Sequence, residues 1–112
     1  SGRIDPTFAA LSGSVSWLRE TCATTLSQQL ALAAIPAPTG HESRRADAVR
    51  CAFLRVGGLE VRQDKVGNVI ARLPAFAPDA ERAPVAVLAH LDTVFDDEVL
   101  PPARFDGTRV YA

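Results

Sequence analysis

The sequence contains no methionine, one tryptophan, one tyrosine and two cysteines among 112 residues. With no methionine even at position 1, the chain is expected to be processed or cut from something longer. Residues 1–6 read as a flexible lead-in, with Ser1-Gly2 as a cloning remnant. Cys22 and Cys51 are too few for the disulfide framework of a small secreted domain and are not spaced as a C-x-x-C redox or zinc pair. Both are expected to be reduced, small buried hydrophobes, which makes the cytoplasm the expected compartment. Lysine is almost missing, Lys65 standing against 11 arginines. An excess of either charge is missing as well. Twelve basic residues face 13 acidic ones, a net charge of -1, which excludes nucleic-acid binding driven by bulk charge. No apolar run approaches the ~18 residues of a membrane span. A glycine-rich phosphate loop is absent, and Ser12, Ser14 and Ser16 lack the G-x-S-x-G setting of a hydrolase nucleophile.

What is present is ordinary globular composition, 47% hydrophobic and 22% charged, in a length that allows one domain at most. Val15, Leu18, Cys22, Leu26, Leu30 and Ala33 recur at helical spacing and predict one amphipathic helix. Pro36 and Pro38 end it. Thr39-Gly40-His41-Glu42 then fits a capping box, with Thr39 as N-cap and Glu42 three residues on. The second helix has an inner stripe of Ala46, Val49, Phe53 and Val56 and a wet face of Arg44, Arg45, Asp47 and Arg50, and stops at Gly57-Gly58. His41 is expected on the surface of its first turn. Trp17 and Tyr111 are expected in the core or partly buried.

From Leu59 the period changes to two, predicting a hairpin with its turn at Asp64–Asn68 and its return over Val69–Leu73. Val85–Ala89 is continuously apolar, the pattern of a central strand buried on both faces. Asp96-Asp97-Glu98 reads as a solvated loop. Asp106-Gly107 reads as a turn into a last strand, Arg109–Ala112, that begins and does not finish. The fold class expected is α/β: two N-terminal helices, a hairpin and a mixed central sheet, incomplete at the C-terminus.

His90 and Asp92 end the apolar run. On extended backbone, residues i and i+2 point to one side, so the Asp92 carboxylate can accept a ring N–H of His90. That arrangement fixes the tautomer of a metal-binding imidazole and raises its basicity. The same spacing also describes a histidine hydrogen-bonded at a strand end, with Asp92 capping the next turn.

Ala89-His90-Leu91-Asp92-Thr93-Val94-Phe95 resembles the metal-binding string of the M20 family of metallopeptidases, whose members are similar to carboxypeptidase G2, aminoacylase, acetylornithine deacetylase and tripeptidase. Ile35–Glu42 resembles that family's proline-containing lead into a helix. Asp64 with Gly67–Ile70 resembles its early hairpin, and Asp106-Gly107 with Val110–Ala112 the segment before its next ligand. The resemblance covers about Leu26 to Ala112. It implies a zinc-exopeptidase-like catalytic domain, of which residues 1–112 form the N-terminal part. It implies His90 as a metal ligand and Asp92 as the active-site aspartate that orients it. The implied cofactor is zinc in a two-metal site, with cobalt or manganese as substitutes, and the implied assembly of the parent protein is a homodimer. The implied reaction is cleavage of small peptides or N-acyl amino acids by metal-activated water, leaning towards a di- or tripeptidase over a deacylase. The family's remaining ligands and its general base have no matching position in this chain. Catalytic zinc takes three protein ligands, so the isolated chain is expected to be inactive. The alternative is a non-catalytic α/β interaction module that keeps part of the fold, with an open sheet edge as its partner surface.

Overall fold

The computed structural model describes residues 6–74, 83–95 and 103–111. The lead-in residues 1–5 and the acidic Asp96-Asp97-Glu98 lie outside them. The chain divides into two compact units, Ser1–Ala31 and Leu32–Ala112.

The first unit is helical. Helix α1 spans Pro6–Glu20 and α2 spans Cys22–Ala33, the last two residues of α2 belonging to the second unit. Where the apolar stripe predicted one helix, Thr21 divides it. The helical ladder continues through the break, Thr21 N–H donating to the Trp17 carbonyl at 3.0 Å and Thr25 N–H to the Thr21 carbonyl at 2.9 Å. The Thr21 hydroxyl donates to the same Trp17 carbonyl at 2.8 Å, and such back-bonding distorts a helix. The stripe is also less covered than its pattern predicts. Val15 is 45% exposed and Leu18 59%, Cys22 is a free, exposed thiol, and Trp17, expected in the core or partly buried, is 62% exposed. Periodicity identifies the face a helix could bury, and burial needs a second surface against it.

The second unit carries α3, Ser43–Val56, and two hairpins. In the first, β1 (Glu60–Gln63) pairs antiparallel with β2 (Val69–Arg72), Glu60 opposite Arg72 and Gln63 opposite Val69. The Glu60 and Arg72 side chains lie 3.7 Å apart across the strands. The turn is the expected one. Asp64 Oδ1 accepts the backbone N–H of Val66 at 3.0 Å and of Asn68 at 2.9 Å, and Oδ2 accepts the Asn68 amide at 2.8 Å. Helix α3 packs on this hairpin and ends at Gly57, whose φ of 76° is the positive φ expected there of a glycine. Ala46 and Ala37 form the buried apolar core of the described residues, with Val49 and Phe53 half-buried beside them. Val56, expected inside, is 70% exposed at the helix end. Cys51 is exposed and free on α3, so neither cysteine is buried.

The second hairpin pairs β3 (Arg104–Phe105) with β4 (Val110–Tyr111). Asp106 Oδ1 accepts the N–H groups of Thr108 at 2.8 Å and Arg109 at 2.7 Å, and Oδ2 accepts the Tyr111 hydroxyl at 3.0 Å. The Arg104 guanidinium lies 5.0 Å from the centre of the Tyr111 ring.

The architecture is mixed α/β, but the central sheet differs from expectation. Among the described residues the sheets are two antiparallel pairs, and no mixed central sheet is present. Val85–Ala89 has no strand partner, with Val85 93%, Val87 94% and Leu88 92% exposed. A strand exists through its neighbour's hydrogen bonds. The apolar pattern records what this run is suited to, and among the described residues nothing pairs with it.

Candidate functional site

The segment following that run is tied down. Thr93 forms a parallel bridge with Pro38, its N–H donating to the Ala37 carbonyl at 2.8 Å and its hydroxyl to the same oxygen at 3.2 Å. Pro38-Thr39-Gly40 is a turn closed by His41 N–H to the Pro38 carbonyl at 2.8 Å, with Gly40 at φ 87°. This turn places Thr39 against Asp92.

His90 and Asp92 are brought together as their spacing predicts. His90 Nδ1 lies 3.4 Å from Asp92 Oδ1, longer than an ordinary N–H···O hydrogen bond. The His90 side chain is 95% exposed and that of Asp92 30%. The other carboxylate oxygen, Oδ2, accepts the Thr39 hydroxyl at 2.8 Å. That hydroxyl is the chief reason the Asp92 carboxyl titrates below the ordinary carboxylate value. Partial burial opposes it, while the backbone N–H of Asp92 and His90 act in the same direction as Thr39. A proton on Nδ1, the nitrogen nearer the carboxylate, would leave Nε2 of this exposed ring as a lone-pair donor.

Two participants were missed from the sequence. Thr39 was expected as the N-cap of α3. The N-cap is Glu42, with no side-chain cap bond, and the Thr39 hydroxyl is used on Asp92 instead. The capping-box expectation fails because α3 begins only at Ser43, three residues later than a Thr39 cap requires, and the Thr39 hydroxyl donates to a carboxylate 53 positions away. Glu42 instead accepts the Gly40 N–H. Arg45 was placed on the wet face but is 8% exposed. Its Nη1 donates to the Leu91 carbonyl at 2.9 Å, and its Nε to the Ile35 carbonyl at 3.0 Å. One signal was available, since Arg45 lies four residues before Val49 on the inner stripe.

As a metal centre the site is incomplete. No group of three or more His, Cys, Asp or Glu side chains that could hold a metal ion occurs among the described residues. One imidazole backed by one carboxylate falls short of the three protein ligands of catalytic zinc, so these residues by themselves do not fit that ion. Among the described residues no helix is long and apolar enough to cross a membrane.

A stretch of 63 residues is 38% identical to the cytosol non-specific dipeptidase of Escherichia coli (strain K12), covering 56% of this chain and 13% of that protein. A stretch of 56 residues is 43% identical to the putative aminopeptidase SgcX of the same organism, covering 50% of this chain and 14% of that one. No family model matches the chain, and no solved structure matches it. The aligned region thus spans about one seventh or less of the curated relatives, and both carry the names of peptidases.

Proposed function

We propose that residues 1–112 are the N-terminal part of a peptidase catalytic domain and that His90 and Asp92 belong to its active site. The observation that carries this reading is the pair itself. An exposed imidazole is turned by a carboxylate whose second oxygen is fixed by Thr39. The peptidase names of the two relatives support the reaction class. The substrate class proposed is small peptides or N-acyl amino acids, and the compartment is the cytosol named for the dipeptidase.

In this reading Asp92 orients the ring and His90 offers Nε2 to a metal ion, zinc by the resemblance to M20 enzymes. The further ligands come from residues other than those described. A non-catalytic interaction module is the competing reading, favoured by the lack of a three-ligand cluster among the described residues. The deciding experiment expresses the whole gene product and assays dipeptides and N-acyl amino acids with and without zinc, cobalt or manganese. Metal-dependent hydrolysis lost in H90A supports the peptidase. Hydrolysis unaffected by H90A removes His90 from the site, and no hydrolysis with any of these substrates favours the module.

A further inference from the structure

Arg45 is the buried charged side chain of the described residues, and no carboxylate pairs with it there. Its fork donates to carbonyls alone. Nε and Nη2 reach Ile35, Nη2 also reaches Ala33 at 3.4 Å, and Nη1 reaches Leu91 at 2.9 Å. Withdrawing a guanidinium from water without an anion is costly, and the carbonyl dipoles offset that cost. An apolar residue here would avoid the cost altogether. What arginine adds is a planar, rigid set of donors that holds two separate segments at once. One segment is the 33–35 stretch. The other is the peptide between His90 and Asp92.

That second attachment bears on the site. His90 and Asp92 share a side only while the backbone between them stays extended. Turning the Leu91 peptide would carry the imidazole away from the carboxylate. Thr39 and Thr93 hold the segment downstream of Leu91, at Asp92 and at the Ala37 carbonyl. Arg45 holds it at Leu91 itself, next to His90. We propose that Arg45 is a positioning residue for the His90–Asp92 pair, acting through the Leu91 carbonyl and touching neither side chain. Its functional meaning rests on the peptidase reading, but its geometry is tested without activity.

The test uses the 112-residue chain with R45M and R45K. Three signals are read by NMR: exchange of the Thr93 amide, the neutral tautomer of His90 from its ring nitrogens at about pH 8, and exchange of the β1–β2 amides. In R45M the Thr93 amide is expected to exchange about tenfold faster or more, the value of one good hydrogen bond to a charged donor. The His90 tautomer ratio is expected to move to that of free histidine while the hairpin amides stay as in the parent chain. A purely structural role would move the hairpin and leave the tautomer tracking global unfolding. If R45M loses the hairpin, R45K decides. An ammonium replaces the rigid three-nitrogen fork with a single nitrogen on a flexible stem, so roughly threefold faster Thr93 exchange is expected with the hairpin intact. Unchanged Thr93 exchange and tautomer ratio, in whichever variant keeps its hairpin, overturns the proposal. A positive result in a protein without peptidase activity keeps the positioning role and rejects the peptidase reading alone.

Discussion

The two hairpins and the His90–Asp92 segment are built from the same chemistry, a carboxylate accepting nearby donors, over very different chain distances. Asp64 is satisfied by residues no more than four positions away, and Asp106 by residues no more than five. Asp92 is satisfied by Thr39 across 53 positions, Leu91 is held by Arg45 across 46, and Thr93 by Ala37 across 56. The hairpin carboxylates close loops that are short and entropically cheap. The site's bonds join the 91–93 segment to α3 and to the 37–40 turn. The hairpin turns are therefore self-sufficient in their hydrogen bonds, whereas the candidate chemistry depends on the fold around it.

The largest expected effects test the functional end of that contrast. In the whole gene product, H90A is expected to remove peptide hydrolysis. D92N should lower it by about 10- to 100-fold, the usual range for a residue that orients a metal-binding histidine. Loosening the second hairpin with D106N should leave activity near the parent level. Steady-state hydrolysis of one dipeptide by the three variants checks this. Equal losses in D106N and D92N would erase the distinction between local scaffold and long-range site.

The same contrast explains what could be read from the sequence. The Asp64–Asn68 turn, the flanking strands, the glycine end of α3 and the Asp106-Gly107 turn depend on neighbours within a few residues, and each was legible. The approach of His90 to Asp92 was legible too, because i and i+2 share a face on extended backbone. Thr39 and Arg45 were misplaced because a capping box and a charged helix face are local patterns, whereas α3 starts beyond Thr39 and the carbonyls that hold Arg45 lie ten to 46 residues away. The Val85–Ala89 run and the Val15–Ala33 stripe were misread for a related reason. Apolar pattern specifies a surface to be covered, but not whether anything covers it.

A sharper probe of the local end is Gly67, at φ 95° in the first turn with open space where a Cβ would stand. G67A meets no clash, so its cost is the left-handed backbone alone, about 1–2 kcal/mol. Amide exchange across β1 and β2 should rise by about tenfold or slightly more. The Thr93 amide should hardly respond. A comparable rise at Thr93 would show that the hairpin supports the site through α3. T39V probes the other end. It removes the hydroxyl from Asp92 Oδ2 and should let the Asp92 carboxyl titrate closer to its ordinary value. The effect on catalysis by the whole protein should be about 2- to 10-fold, smaller than for D92N because His90 still faces Oδ1.

The smallest expected effect is one of pH. Asp64 titrates below its ordinary value of 3.8, chiefly because the Asn68 side chain donates to it. Asp106 is lowered too, chiefly by the Arg109 backbone N–H. A carboxylate whose pKa is lower folded than unfolded stabilises the fold fully above the unfolded value, and that contribution disappears as pH falls through the folded value. Both hairpins should therefore be insensitive between about pH 7 and 5 and loosen below about pH 4. Amide chemical shifts across residues 60–72 and 104–111, followed from neutral to acid, read each hairpin separately. D64N replaces the titrating acceptor with a neutral one. It should flatten the acid response of the first hairpin and leave that of the second in place. If the second hairpin's response disappears as well, the two are coupled through the rest of the unit, and the self-sufficiency assigned to these turns does not hold.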